Sequence, residues 1–419
     1  MPPMSTRRIY LDNAATSFPK PPGVLEAMTR FATELGASPG RGAYAESREA
    51  DELLWRCRER INTLINGAGP ERVIFTLNCT DALNLAIKGI VQPGPTIDHV
   101  VTTWMAHNSV LRPLNALVSN SDADQTRVVV DPATGWVDPD EIRRAIRPNT
   151  RLVAINHASN VTGSRQPIEA IGRICRERNV PLLVDAAQTL GHIPIDVRAL
   201  HIDLLAFPGH KGLLGPLGTG GLYIAPGMEK RIRTIREGGT GSRSERDTQP
   251  NELPDKYEPG SHNAIGLAGL SEGVAYLLER TVEDVEAHET RLMVAFLDAL
   301  REGDGQPPNL RLLGPQTHER RTAVFSVVIE GVPPQTLAKT LEDRHGLLTR
   351  AGLHCAPLAH RAMGTAPNNR PGASTLDVAG ATRLSFGCFL TEDDAKLAAH
   401  ALREAAQDHA AKSTASATG

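Results

Sequence analysis

The stretch that decides the fold is "RLVAINHASNVTGSRQPIEAIGRICRERNVPLLVDAAQ", residues 151–188. It contains two apolar runs, at 151–159 and 180–187, that are rich in strand-forming residues. Between them, the isoleucines of "PIEAIGRICRERN" recur at helical spacing. A strand, a helix and a second strand in this order predict two parallel strands joined by a crossover helix.

Similar apolar runs lie on both sides of this unit. They are "RVIFT" at 72–76, "HVVTT" at 99–103 and "IDLLAF" at 202–207, and "TDALNLAIKGI" at 80–90 is typical of a helix. Strands without apolar and polar alternation are buried on both faces. The sequence therefore predicts an α/β fold with a mostly parallel sheet flanked by helices.

The pattern changes after about residue 265. The predicted elements there are a long helical stretch at 267–302, a strand at 322–331, a helix at 333–346, a strand at 381–387 and a helix at 391–407. We interpret these elements as a smaller α+β domain. The predicted division is a large domain at 20–265, a small domain at 1–19 and 266–408, and a disordered polar tail at 409–419.

Composition narrows the class of protein. A chain of 419 residues with 40% hydrophobic residues and a net charge of −3 is typical of a soluble enzyme or binding protein, not of a nucleic-acid binder. We find no apolar run long enough for a secretory signal or a membrane span. Five scattered cysteines without metal-binding spacing indicate reduced thiols, no metal site and a cytoplasmic location.

Polar residues follow each predicted strand, where a parallel α/β sheet binds its ligands. They are Cys79 and Thr80, His107, Asn160, Asp185 and Gln188, and His210 and Lys211. Taken singly, each has an ordinary explanation, since Thr80 or Asp185 would serve as a helix cap. Together they predict one cleft that holds an acid, an amide, an imidazole, a hydroxyl and an amine.

This set of groups matches the needs of pyridoxal phosphate. The cofactor's aldehyde needs a lysine for a Schiff base, and its pyridine nitrogen needs a carboxylate. Its phosphate needs a helix start and hydroxyls, and its ring needs a flat partner. A Walker loop or a dinucleotide-binding fingerprint fits poorly, because neither glycine pattern is present in its required context.

Several motifs in the chain resemble the cysteine desulfurases, in the class V branch of fold-type I pyridoxal-phosphate enzymes. They are "YLDNAATSFPKPPGVLEAM", "SPGRGAYAES", "CTDALNLAIKG", "SNVTG", "VDAAQTLGHIPIDV", "FPGHKGLLGPLGTGGLYI", "YEPGSHNAIGLAGL" and "RAGLHCAPLAH". The similarity runs from about Ile9 to the last helix. "DAAQ" and "GHK" are typical of the superfamily, and "GLHCAPLAH" of its desulfurase-like group.

The resemblance implies a set of cofactor contacts. Lys211 would form the Schiff base, Asp185 would bind the pyridine nitrogen and Gln188 would bind the phenolic oxygen. His107 would stack on the ring and shuttle a proton. Thr80 and His210 would hold the phosphate. Cys79 and Asn160 belong to the same cofactor-binding group.

The resemblance also implies substrate and partner contacts. Asn160 and Arg383 would bind the substrate carboxylate, with Asn13 nearby. Ser261 would reach the phosphate of a partner subunit, which implies a homodimer. Cys355 would receive sulfur from L-cysteine as a persulfide, leaving alanine, and pass it to an unidentified acceptor protein, as in iron–sulfur cluster assembly.

A sulfur-accepting cysteine needs an exposed, electropositive setting, because only the thiolate is a good nucleophile. We expect His354 and Arg350 to supply that setting for Cys355. Most free cysteines are small buried hydrophobic residues, and this reading suits the other four. The glycine, proline and histidines around Cys355 indicate a loop, which favours the functional reading.

Two features depart from the family pattern. Position 208 usually carries a hydroxyl for the phosphate, and here it is Pro208, so another donor such as Thr80 or Ser261 must compensate. The segment at 363–381 is long and rich in Gly, Pro, Asn and Ser. We expect it to form a mobile loop beside Cys355 that governs access.

Other functions stay open at this point. A selenocysteine lyase would use the same residues. A class V aminotransferase or another lyase would leave Cys355 incidental. A catalytically silent relative that acts as a scaffold is disfavoured by the intact set of Lys211, Asp185, His107 and Cys355.

Overall fold

The computed structural model of the chain describes residues 7–417, apart from 41, 92–93, 95, 243–244, 304 and 367–379. The strands are β1 (Ile9–Tyr10), β2 (Val73–Thr76), β3 (Asp98–Thr103), β4 (Ala123–Val128), β5 (Thr150–Asn156), β6 (Leu182–Asp185), β7 (Leu204–Pro208), β8 (Gly220–Ile224), β9 (Leu310–Leu312), β10 (Val324–Ile329), β11 (Leu347–Leu348), β12 (Arg350–Gly352) and β13 (Ala381–Ser385).

The helices alternate with these strands in the first half of the chain and surround them in the second. They are α1 (Pro22–Arg30), α2 (Ala45–Leu64), α3 (Cys79–Ile90), α4 (Asn108–Ser119), α5 (Pro139–Ala145), α6 (Ile168–Glu177), α7 (Ala264–Arg280), α8 (Val282–Arg301), α9 (Pro334–His345), α10 (Pro357–Ala362) and α11 (Glu392–Ala417). No helix in this described part of the chain is long and apolar enough to cross a membrane.

A seven-stranded sheet, in the order β2-β8-β7-β6-β5-β3-β4, forms the centre of the molecule. Strand β8 pairs antiparallel with both neighbours, and the other pairings are parallel. The predicted α/β fold with a mostly parallel sheet is therefore confirmed. The five strands predicted for this sheet are all present, and β4 and β8 were not predicted.

Both faces of this sheet are buried. In β5, Val153 and Ile155 belong to the core on one face, while Leu152 and Ala154 belong to the core on the other. All four side chains are almost fully inaccessible to water. Burial on both faces explains why the strand sequences show no alternation of apolar and polar residues.

A second, antiparallel sheet in the order β12-β13-β10-β9 lies in the C-terminal part of the chain. It shares one hydrophobic core with α8, α9 and α11 and with Ile9 and Leu11 near the N-terminus. The centre of this core is a cluster of Phe296, Phe325 and Phe386, with ring centroids 4.5–5.6 Å apart. This arrangement joins the two ends of the chain in one α+β unit.

The packing of α7 differs from the predicted division at residue 265. Its buried residues, including Leu267, Leu270 and Val274, belong to a core of the large sheet. The helix therefore packs with the large domain, although the sequence pattern groups it with the small one.

Two further predictions need correction. The helical stretch at 267–302 is broken at Thr281, which has φ 69° and whose side chain accepts a hydrogen bond from the N–H of Asp284 as the cap of α8. Helix α11 continues to Ala417, through most of the predicted tail, because the alanine-rich sequence favours helix. Residues 418–419, and 367–379 of the predicted access loop, lie outside the described residues.

The aromatic cluster should carry much of the stability of the C-terminal unit. We expect Phe296→Ala to lower the free energy of unfolding by about 3–5 kcal/mol, because it leaves a cavity between two other rings. Urea denaturation followed by circular dichroism measures this change. Leu397→Ala, on the exposed face of α11, is the control and should change it by less than about 0.5 kcal/mol.

Candidate active site

A cavity lies at the carboxyl ends of the central parallel strands. Strands β5, β6 and β7 end at Asn156, Asp185 and Pro208, and all three residues line it. The cavity encloses about 560 Å³ of open space, with the solvent at its mouth included. Eight of the predicted site residues share its wall, namely Cys79, Thr80, His107, Asn160, Asp185, Gln188, His210 and Lys211.

Lys211 and Asp185 place two opposite charges in a buried setting. Burial, followed by the charge of Arg383, lowers the pKa of Lys211 to about 8. Burial also raises the pKa of Asp185, against the effect of a hydrogen bond from the N–H of Ala187. Both shifts disfavour the charged forms, so the cavity favours a ligand that brings compensating groups to each.

The N-terminal segment holds the Lys211 loop from outside the cavity. The carbonyl of His210 accepts hydrogen bonds from the Thr16 hydroxyl at 3.0 Å and the Lys20 ammonium at 2.9 Å. The Ser17 hydroxyl donates to the carbonyl of Lys211 at 2.9 Å. These bonds fix the main chain on both sides of the amine-bearing residue.

Asp185 forms a turn and not a helix cap. Its Oδ1 accepts the N–H of Ala187 at 3.0 Å, and the thiol of Cys79 lies 3.6 Å from the same oxygen. Gln188, on the same turn, donates from Nε2 to the carbonyl of Ala14 at 3.1 Å, which leaves its Oε1 for a ligand in the cavity.

The start of α3 is capped by Asn78, whose side chain accepts the N–H of Asp81 at 3.0 Å. The alternative role of Thr80 as the cap is therefore wrong. The Thr80 hydroxyl instead lies 2.7 Å from the hydroxyl of Ser109, at the start of α4. Two hydroxyls and the first N–H groups of α3 thus share one wall of the cavity and suit an anion.

His107 is the cap of α4 and lines the cavity. Its Nδ1 accepts the N–H of Ser109 at 3.0 Å. Burial, with the charge of Lys211 next in importance, lowers the pKa of His107 to about 4. The ring is therefore neutral near pH 7, and because Nδ1 is an acceptor, Nε2 carries the proton.

Two buried polar atoms in the cavity wall have no hydrogen-bond partner among the described residues. They are Nδ1 of His210 and Oδ1 of Asn156. An unpaired buried polar group costs about 1–3 kcal/mol, so both atoms indicate a polar ligand. With the amine, the carboxylate and the hydroxyls, they make a donor set that fits pyridoxal phosphate.

Sequence reasoning missed Asn156 and Ser109. Asn156 is the last residue of β5, so it could have been found by the expectation that ligands bind at the carboxyl ends of parallel strands. Ser109 offered none, because its hydroxyl reaches the site only through the packing of α4 beside α3. Its position next to Thr80 adds a hydroxyl to a cavity wall in which Pro208 provides none.

Cys355 is exposed in the turn between β12 and α10, whereas the other four cysteines are buried. Its carbonyl accepts the N–H of Asn108, directly after His107, at 2.9 Å. The carbonyl of His354 accepts a hydrogen bond from Nδ2 of Asn160 at 2.6 Å. The cysteine turn is therefore bonded to Asn160 of the cavity wall and to Asn108, which lies between the wall residues His107 and Ser109.

The expected electropositive setting of Cys355 needs a correction. His354 is buried, and burial, followed by the charge of Arg383, holds its pKa well below the usual range. Its ring is therefore neutral at physiological pH and adds no positive charge beside the thiol.

Arg383 lies beside the cavity, although it is not part of its wall. It is almost fully buried, with Nη2 2.6 Å from Oδ1 of Asp12 and Nη1 3.1 Å from the carbonyl of Asn160. Its Nε has no partner, so one edge of the guanidinium retains an unsatisfied donor. Such an edge suits a carboxylate.

Two predicted residues lie away from the cavity wall. The amide of Asn13 bonds to the carbonyls of Tyr10 and Ser385 and to the N–H of Phe18, so it holds the N-terminal turn. Ser261 is exposed in the segment before α7. Its role toward a partner subunit stays a prediction.

Comparison with known proteins identifies the family. The family model described as "Aminotransferase class-V" matches residues 9–397. The chain belongs to the class V aminotransferases. Its relatives include probable cysteine desulfurases of Methanothermobacter thermautotrophicus (32% identical over 413 residues, 96% of each chain) and Streptomyces coelicolor (31% over 392 residues, 91% of this chain and 88% of the relative).

Solved structures place this class V protein in the fold-type I group of pyridoxal-phosphate enzymes, which confirms the predicted fold. An apo cysteine desulfurase of Thermococcus onnurineus is 28% identical, with a TM-score of 0.84, and the match covers 96% of this chain and 95% of that one. A cysteine desulfurase of Escherichia coli is 25% identical, with a TM-score of 0.80, over 95% and 94%.

Buried neutral histidines near the site should make the stability of this class V protein fall in mild acid. Burial lowers the pKa of His157 to about 3, below the unfolded value of about 6.5. The unfolded chain therefore binds the extra proton first, and stability is lost as the pH falls from 6.5 toward 3.

We expect His157→Gln to reduce this loss by about 1 kcal/mol between pH 6 and pH 5, measured by urea unfolding at both values. His400→Gln, on the exposed part of α11, is the control and should leave the pH dependence unchanged. If the free energy of unfolding depends on pH equally in wild type and in His157→Gln, then His157 titrates normally in the folded protein.

Proposed function

We propose that this chain is a pyridoxal-phosphate-dependent cysteine desulfurase. It takes sulfur from L-cysteine, releases L-alanine and holds the sulfur as a persulfide on Cys355. The observation that carries the proposal is the attachment of the Cys355 turn, through Asn108 and Asn160, to the wall of a cavity that contains Lys211 and Asp185. The names of the relatives support it.

The wall of the cavity contains a group for each part of the cofactor. Lys211 would bind the aldehyde, Asp185 the ring nitrogen and Gln188 the phenolic oxygen, while His107 would lie on the ring face. Thr80, Ser109 and His210 would hold the phosphate at the start of α3. When bound, the cofactor supplies an aldehyde for amino groups and a protonated ring that withdraws electrons from the substrate's Cα.

Lys211 is suited to act as a base. With a pKa of about 8, a useful fraction of its amine is uncharged near neutral pH and can accept the α-proton of the substrate. The hydrogen bonds that Thr16, Ser17 and Lys20 make to its main chain limit the positions that the amine can reach. The neutral His107 would offer its Nε2 proton to the substrate during the reaction.

Arg383 and Asn160 would bind the substrate carboxylate. Arg383 has an unpaired Nε and is held in place by Asp12. The side-chain amide of Asn160 uses one N–H on the cysteine turn, and its second N–H and its Oδ1 would bind the substrate. The contact between Asn160 and His354 therefore links the substrate-binding group to the residue that receives sulfur.

Cys355 would attack the substrate sulfur as a thiolate. The new S–S bond forms as the substrate's Cβ–Sγ bond breaks, and the bonding electron pair stays with the carbon skeleton, which takes up a proton. Cysteine and the enzyme thiol thus give alanine and a persulfide, and no outside oxidant or reductant is required. The exposure of Cys355 also allows an acceptor protein to reach the persulfide.

The wider setting of the enzyme is part of this proposal. A second subunit would bring its own copy of Ser261 to the phosphate, since this exposed serine lies outside the cavity of its own chain.

The function is tested by incubating the purified protein with pyridoxal phosphate, L-cysteine and dithiothreitol, and measuring sulfide and alanine. We expect equal amounts of both products. We expect Cys355→Ser to abolish both, because a serine hydroxyl cannot accept the sulfur. Activity that survives Cys355→Ser and requires a keto acid would indicate an aminotransferase. Activity with selenocysteine but not cysteine would indicate a selenocysteine lyase.

The role of Arg383 is tested by Arg383→Lys. We expect the KM for L-cysteine to rise about tenfold or more, because lysine cannot make the paired bonds that a carboxylate accepts from a guanidinium. Arg311→Lys, on β9 of the same sheet, is the matched control and should leave the KM within about twofold. Steady-state alanine formation measures both, and an unchanged KM in Arg383→Lys would contradict the assignment.

A further inference from the structure

The second histidine of "GLHCAPLAH" lies behind the cysteine turn. His360, on α10, is fully buried, and its Nε2 is 3.1 Å from Nδ1 of His354. On its other side, its Nδ1 is 2.7 Å from the hydroxyl of Thr365. Nε2 of His354 lies 3.2 Å from the carbonyl of Arg350. A chain of hydrogen bonds therefore runs from Thr365 to the strand that precedes the turn.

The carbonyl of Arg350, at one end of this series of hydrogen bonds, determines which atom donates in each bond. A carbonyl only accepts, so Nε2 of His354 carries a proton and donates to Arg350. Both rings are neutral, since burial holds the pKa of His354 well below its usual range and lowers that of His360 to about 4. Nδ1 of His354 is therefore an acceptor, and Nε2–H of His360 is its donor.

The turn that this chain supports has an unusual backbone. His354 and Cys355 have φ values of 50° and 58°, in the left-handed region that residues other than glycine rarely adopt. Such a conformation costs about 1–3 kcal/mol per residue and persists only where the surroundings enforce it. The bonds to Asn108 and Asn160 hold the carbonyls of the turn, and His360 holds its buried ring.

We propose that His360 is a positioning residue for sulfur transfer, which acts by holding His354 and thereby fixes the position of the Cys355 turn beside the cavity. The proposal rests on the proposed function. It concerns only the step at Cys355, because His360 is not among the described residues that line the cavity, and its ring bonds to His354 and Thr365. A purely structural role would instead lower stability without selecting one step.

Two variants of equal polarity separate these roles. In His360→Gln, the amide nitrogen can occupy the position of Nε2 and still donate to His354. In His360→Asn, the shorter side chain reaches only the position of Nδ1, so the bond to His354 is lost. We expect His360→Gln to form alanine and sulfide within about threefold of wild type, and His360→Asn to be slower by about tenfold or more.

A second measurement, of α-hydrogen exchange, separates the sulfur-transfer step from the steps that do not require Cys355. Exchange of the α-hydrogen of L-alanine in deuterated water needs Lys211 and bound pyridoxal phosphate but not Cys355, and NMR follows it directly. We expect both His360 variants to exchange within about twofold of wild type. His99→Asn is the control for loss of a buried imidazole. His99 lies near the start of β3, at the end of the strands opposite the cavity, and its ring bonds to Thr150 on β5 and Thr126 on β4.

The results distinguish the inference from the function on which it rests. Equal sulfur release by His360→Gln and His360→Asn, or a parallel loss of exchange and sulfur release, would overturn the role of His360. If wild type exchanges the α-hydrogen but releases no sulfide, the proposed function itself fails. If His360→Asn does not fold, Thr365→Val provides the test, since loss of its hydroxyl should slow sulfur release by about threefold and leave exchange unchanged.

Discussion

The structure is organised around the burial of one amine and one carboxylate in a single cavity. Lys211 and Asp185 lie at the ends of neighbouring parallel strands. Burial lowers the pKa of Lys211 and raises the pKa of Asp185, and both shifts favour the uncharged forms. Burial of two ionisable groups costs free energy, and such pKa shifts are concentrated at functional sites. The proposed cofactor, with an aldehyde and a basic ring nitrogen, would satisfy both groups.

The two structural units meet beside this cavity, and the segment around Asp12 connects them. Asp12 pairs with Arg383 on β13, and a few residues later Thr16 and Lys20 bind the main chain before Lys211. From the other side, the Cys355 turn of the small unit is bonded to the cavity wall of the large one. The residues of the proposed reaction are thus brought together by contacts between distant parts of the chain.

Much of the fold and the site could be predicted from the sequence, for physical reasons. Strands buried on both faces are continuous apolar runs, and polar residues at their carboxyl ends necessarily share an edge of the sheet, which is why the predicted cleft contains both Asp185 and Lys211. The break at Thr281 and the role of Ser109 depend on how helices pack, and a local pattern does not contain this information. The neutral state of His354 likewise follows from burial, which the glycine- and histidine-rich turn did not reveal.

The central claim is that the Lys211 amine forms a covalent bond with the cofactor aldehyde. Borohydride reduces such a bond to a stable amine, so treatment of the holoenzyme followed by digestion and mass spectrometry locates it directly. The account predicts a pyridoxyl phosphate adduct on Lys211 in stoichiometric yield and none on the nearby Lys20. An adduct on another lysine, or a protein that binds the cofactor without any adduct, would contradict it.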